Sequence, residues 1–257
     1  TPLQALSDGT HNIGVTATDP AGNTSAPSLM SLSVDTAAPS APSAVLNPAS
    51  DSGVKGDGLT NDTTPTITGT GTAGDTITVT LPTGEVLTAV VAANGSWSVT
   101  PLQALPDGAQ SITITATDPA GNVSAPTTLP VTIDTTPPAA PVADVAAASD
   151  TGVSNTDNIT SDTTPTITGT GTAGDTITVT LPTGEVLTTV VAGNGGWSVT
   201  PLQALSDGTH NIGLTATDLA GNTGTTTTVT LVIDTVAPAT PAAPDMTSAT
   251  DTGASAS

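Results

Sequence analysis

From Thr176 to Leu181 apolar and polar residues alternate, with Ile177, Val179 and Leu181 on one parity and Thr176, Thr178 and Thr180 on the other. A period of two puts one set of side chains on one face, which is the pattern of a strand with one buried face. β-Branched Thr, Ile and Val favour the same conformation. Extended over Thr136–Thr235, this reading predicts an edge strand at Val142–Ala148 and a polar loop from Ser149 to Asp162. Further strands are expected at Pro165–Gly169, Thr176–Leu181, Val186–Val191, Trp197–Thr200, His210–Thr217 and Thr225–Ile233. Turn chemistry separates them at Pro182–Glu185, Asn194-Gly195, Asp207-Gly208 and Asp218–Asn222. Asn-Gly is a hairpin signal because both central positions take positive φ.

Short strands separated by turns over one domain length read as an all-β fold, an Ig-like β-sandwich. Its expected core is Ile167, Ile177, Val179, Leu181, Trp197, Val199, Leu202, Leu205, Ile212, Leu214, Ala216, Val229, Leu231 and Ile233. Trp97 and Trp197 are each the sole aromatic residue of their stretch, which points to a bulky core filler; exposed, they would instead form a ligand-stacking platform.

The pattern recurs. TPLQAL begins at Thr1, Thr100 and Thr200, spacings of 99 and 100 residues. A-T-D-x-A-G-N recurs around Asp19, Asp118 and Asp218, and an Asp-Thr pair at Asp35, Asp134 and Asp234. Ser-Asp-x-Gly recurs at Ser50–Gly53 and Ser149–Gly152, and Asp251-Thr252-Gly253 begins another copy. Such a period is domain-sized, unlike that of a solenoid. The expected units are 1–36, the C-terminal part of a repeat; 37–135 and 136–235, two full repeats; and 236–257, the stub of the next. Pro-rich joints stand at Ala37–Pro42, Thr136–Pro141 and Val236–Pro244. A chain opening inside a repeat reads as a slice of a longer array. The stretch Gly69–Gly74, repeated at Gly169–Gly174, matches the G-x-G-x-x-G phosphate cradle. A strand rather than a helix follows it, so its glycines are assigned to a turn.

Charge narrows the partners. The chain of 257 residues has one Lys or Arg, no Cys, and a formal net charge of −21. Nucleic acid and anionic lipid are poor partners for that surface, and no membrane-inserting segment is seen. Absent Cys removes disulfides and thiolate metal sites. His11 and His210 occupy equivalent positions where the middle repeat has Gln110, so obligatory proton transfer is not expected of them, and no enzyme is predicted. Glu85 and Glu185 sit in P-T-G-E turns and are expected to be exposed. Lys55 is replaced by Ser154 in the following repeat, which rules out a Lys–Asn cross-link in every unit.

The carboxylates cluster. Asp150, Asn155, Asp157 and Asp162 share one loop, and Asp51, Asp57 and Asp62 share the preceding one. Two carboxylates about 4 Å apart cost on the order of 4 kcal/mol at an effective dielectric near 20. A divalent cation removes that cost. Oxygen-only ligands on a flexible loop suit Ca²⁺, the alternative being a solvated loop of Asx-turns. A second constellation is Asp118, Asn122 and Asp134 at strand ends, where Asp134 is expected to approach the next repeat's loop around Asp150 or Asp157. A cation there would clamp the joint.

Together I-D-T-x-x-P, S-D-T-G-x-S-N-x-D-N-I-T-x-D-T-T-P-T, G-x-W-S-V-T-P and A-T-D-x-A-G-N resemble the bacterial Ig-like repeats of giant calcium-dependent surface adhesins. Proteins of that kind leave the cell by type I secretion and serve biofilm formation or attachment. The resemblance implies an extracellular, cell-surface extender with calcium at its joints and in its acidic loops. By motif position it points to Asp19, Asp35, Asp51, Asp57, Asp118, Asp134, Asp150, Asp157, Asp218 and Asp234, with Asp251 opening another loop. Adjacent repeats of the chain are the implied partners, with neighbouring copies a further option. V-K-G-D-G in the first loop departs from V-S-N-T-D-N.

Overall fold

The computed structural model describes residues 4–242; Asp251 and most of 236–257 lie outside them. Every regular element among the described residues is a strand. Strands β1 (Gly9–Val15) and β2 (Ser28–Val34) form an antiparallel pair. The next repeat contains β3 (Val45–Leu46), β4 (Leu59–Thr60), β5 (Ile67–Thr70), β6 (Thr76–Thr80), β7 (Val86–Val90), β8 (Ser96–Val99), β9 (Gly108–Thr117) and β10 (Thr127–Ile133). Its successor repeats the series as β11 (Val142–Val145), β12 (Ile159–Thr160), β13 (Ile167–Thr170), β14 (Thr176–Thr180), β15 (Val186–Val190), β16 (Gly196–Val199), β17 (Gly208–Thr217) and β18 (Thr227–Ile233).

Each full repeat is a sandwich. A five-stranded sheet, β4-β10-β9-β6-β7, faces a three-stranded one, β3-β5-β8; the successor has β12-β18-β17-β14-β15 over β11-β13-β16. Inward residues of both sheets meet in one cluster per repeat, with Ile77, Val79, Ile112 and Ile114 in the first and Ile177, Val179, Ile212 and Leu214 in the second. Burial at about 25 cal/mol per Å² of apolar surface is the main favourable term. Trp97 and Trp197 are buried at 4% and 5% exposure, so they are core fillers and no aromatic platform exists at either.

Three expectations are corrected. Leu202 is 85% exposed, and Leu205 fills the core beside it. The Glu185 carboxylate accepts the amides of Leu202 and Gln203, pinning that turn with the Leu202 side chain outward. Glu185 and Glu85 are therefore half-buried turn anchors rather than free surface charges; Glu85 holds Leu102 and Gln103 the same way. Gly69 and Gly169 are strand residues, as the expected strand Pro165–Gly169 has it, so the turn assignment of the G-x-G-x-x-G glycines fails for the first of them. A Cβ on Gly69 would lie 2.7 Å from Cζ2 of Trp97 and 1.9 Å from the Ser43 carbonyl oxygen, so the bare backbone makes room for the indole. The turn itself uses Gly74, at φ +93°.

Candidate metal centre

The short strands β4 and β12 decide where the acidic loops lie. Each pairs in parallel with the last strand of its own repeat, Leu59–Thr60 with β10 and Ile159–Thr160 with β18. The Thr60 carbonyl accepts the Asp134 amide at 2.9 Å, and the Thr160 carbonyl that of Asp234 at 2.9 Å. The loop of Asp51, Asp57 and Asp62 therefore stands at the pole where its own repeat ends, beside Asp134. The loop of Asp150, Asn155, Asp157 and Asp162 stands beside Asp234. Asp134 does not approach Asp150 or Asp157: the parallel pairing carries that loop to the far pole.

What Asp134 meets is the incoming pole of the next repeat. Asn222 donates through Nδ2 to the Asp134 carbonyl at 2.8 Å, and Asn122 does the same to Asp35 at 3.0 Å. Asp134, Asp175 and Asp218 line one cavity of about 350 Å³ at this joint, with Leu59, Pro138 and Leu219 among its walls. Asp175 is 5% exposed. Burial, then the Asp218 charge, push its carboxyl above the usual range, against a lowering hydrogen bond from Thr172. Asp75, its counterpart, is 3% exposed and its Oδ2 has no hydrogen-bond partner among the described residues.

In the acidic loops, Asp51 and Asp150 are each 4% exposed. Their Oδ2 atoms accept the amides of Gly56 and Asn158, while each Oδ1 has no partner among the described residues. Lys55 reaches the Asp51 carbonyl oxygen. Asp57, Asp62, Asp157 and Asp162 each accept an amide two residues on, the Asx-turn arrangement. Asp35, Asp134 and Asp234 do likewise at the joints. Asn155 is exposed.

Asp19, Asp118 and Asp218 serve their own turns: Asp118 accepts the Asn122 amide at 2.9 Å and its Nδ2 at 2.8 Å. The Asn122 side chain holds the Asp118 carboxyl below its usual value, and Asn23 does so for Asp19. Among the described residues no three His, Asp or Glu side chains already converge on one point. Sequence reading missed Asp75 and Asp175, yet the signal was present. Both share the parity of the inward isoleucines and valines of their strands, so the alternation puts a carboxylate on a buried face. His210 donates through Nε2 to the Ser206 carbonyl at 2.7 Å; Gln110 gives Nε2 to Pro106 at 2.7 Å in the same place, which shows why the two exchange.

Tandem β-sandwiches with Pro-rich joints define a class, and the family follows from the sequence: this chain belongs to the bacterial Ig-like domain family, which matches residues 1–36, 38–135 and 137–235. Among solved structures, a Ca²⁺-stabilised adhesin that helps an Antarctic bacterium reach out and bind ice is 30% identical over 87% of this chain, with a TM-score of 0.41. This chain spans 56% of that one. A 1.5-MDa bacterial ice-binding adhesin is 28% identical over 88% of this chain and 74% of its own, with a TM-score of 0.40. A tetra-tandem repeat from the extending region of a large adhesion protein is 24% identical over 90% of this chain and 58% of its own, with a TM-score of 0.31. No curated protein matches the sequence. No helix among the described residues is long and apolar enough to cross a membrane.

Proposed function

We propose that the chain is a non-enzymatic extender segment of a large bacterial surface adhesin, whose repeats are stiffened by Ca²⁺ at their joints and in their acidic loops. The observation that carries this reading is the joint cavity. Asp134 arrives from one repeat, Asp175 and Asp218 from the next, and burial and like charge already disfavour ionised Asp175. An unpaired buried carboxylate is expensive, and with no basic side chain among the cavity's lining residues, a divalent ion is the natural remedy. Every candidate donor is oxygen, the preference of Ca²⁺. Asp134, Asp175 and Asp218 would hold the joint ion, with Asp35, Asp75 and Asp118 at the preceding joint. Asp51 with Asp57, and Asp150 with Asp157, would hold the loop ions. Bound calcium supplies positive charge that bridges two repeats, and the rod so formed would hold a distal binding domain off the cell surface.

Extracellular calcium is abundant enough to fill sites with dissociation constants of about 10⁻⁴–10⁻³ M, whereas cytosolic calcium is not. Small-angle scattering tests the reading. The maximum dimension should be greater, and the profile more rod-like, with calcium than with chelator. An unchanged profile would refute calcium stiffening.

A further inference from the structure

The two full repeats also touch directly, without any ion. The loop tip Ser52–Val54 of one rests on the Leu219–Gly221 turn of the other. Ser52 donates its hydroxyl to the Ala220 carbonyl, and the Val54 amide donates to the Leu219 carbonyl at 3.2 Å. The Ser52 hydroxyl is aimed by the Asn61 amide, which donates to it at 2.8 Å. At the centre are two glycines. A Cβ on Gly53 would lie 2.0 Å from the Leu219 carbonyl oxygen, and a Cβ on Gly221 would lie 2.9 Å from the Gly53 nitrogen. Neither backbone has room to retreat, since both contacts are main chain against main chain.

We infer that successive repeats are set in register by this glycine-on-glycine seat, and that Thr151–Val153 is the same seat presented to a following Ig-like repeat with an A-G-N turn. Thr151 is prepared as Ser52 is: its hydroxyl accepts the Ser161 amide at 2.9 Å. A Cβ on Gly152 would meet nothing within 4 Å, and Val153 is fully exposed. This makes sense of two motifs that recur together, Ser-Asp-x-Gly at one pole and D-x-A-G-N at the other. Each is one half of a contact whose other half belongs to the neighbouring repeat.

The test uses distances between spin labels at Thr88→Cys and Thr188→Cys, two exposed sites in a chain with no native Cys. In saturating calcium the otherwise unaltered chain should give one narrow distance. Gly53→Asn should broaden it, because Asn tolerates the φ of +58° at this position but its Cβ does not fit. Gly221→Asn should do the same from the other side, and Gly152→Asn should leave the distance narrow. A thermal melt monitored at Trp97 and Trp197 confirms that each variant is folded. Narrow distances in both Gly53→Asn and Gly221→Asn, or a broad one before substitution, would overturn the inference. Calorimetric calcium binding by the same chains is a separate readout, so failure of the calcium reading is distinguishable.

Discussion

Asp175, immediately before β14, puts a carboxylate on the parity where Ile177 and Val179 place hydrocarbon. Its folded-state pKa is raised, so the group costs nothing below the ordinary carboxylate range. The penalty grows as pH rises past the unfolded value, and it is complete above the folded one. In chelator, Asp175→Asn is therefore expected to raise the melting temperature at neutral pH, and to abolish part of the gain that calcium gives the parent chain. Asp118 works the other way. Its lowered pKa contributes stability above the unfolded value of 3.8 that is lost as pH falls through the folded value. Asp75→Asn should likewise stabilise the metal-free chain, because a neutral amide costs less to bury than a carboxylate at a site only 3% exposed. A thermal melt in chelator checks both substitutions, and a loss of stability would contradict the account. These two carboxylates were legible in principle. Parity placed them inside, but they sit beside glycine turns, where an Asp is read by habit as a turn residue.

At the scale of elements, the alternation carried most of the sandwich, because one buried face imposes period two on every strand. Thirteen of the fourteen expected core residues are buried and Leu202 is not. Removing a methylene-rich side chain from that core leaves a cavity, so Ile177→Ala should cost about 2–5 kcal/mol and Leu202→Ala no more than about 0.5. Urea unfolding of the two variants measures the contrast. Gly69→Ala should also destabilise, because its methyl meets both Trp97 and the Ser43 carbonyl. Strands β4 and β12 were not legible. Two residues show no periodicity, and their partner is a strand more than seventy residues away, Leu59 against Thr132. Missing that pairing placed the acidic loop at the wrong pole.

At the scale of the molecule, the joint between the two full repeats has two kinds of tie. Main-chain and amide contacts link Asn222 to Asp134 and Gly53 to the Leu219 turn, and they need no ion. The acidic cavity beside them stays electrostatically unfavourable until positive charge enters it. On the proposed reading, the two repeats are expected to keep their register without calcium and to lose stiffness at the joint. Solvent salt screens exposed charges but reaches buried ones poorly. Monovalent salt should therefore replace calcium only in part, as scattering in high sodium chloride would show.

Calcium titrated calorimetrically into the metal-free chain tests the central claim most directly. Saturable heat with a dissociation constant of about 10⁻⁴–10⁻³ M, reduced in Asp175→Asn, is the expected result. Heats of dilution alone, in the chain with all its carboxylates, would contradict it.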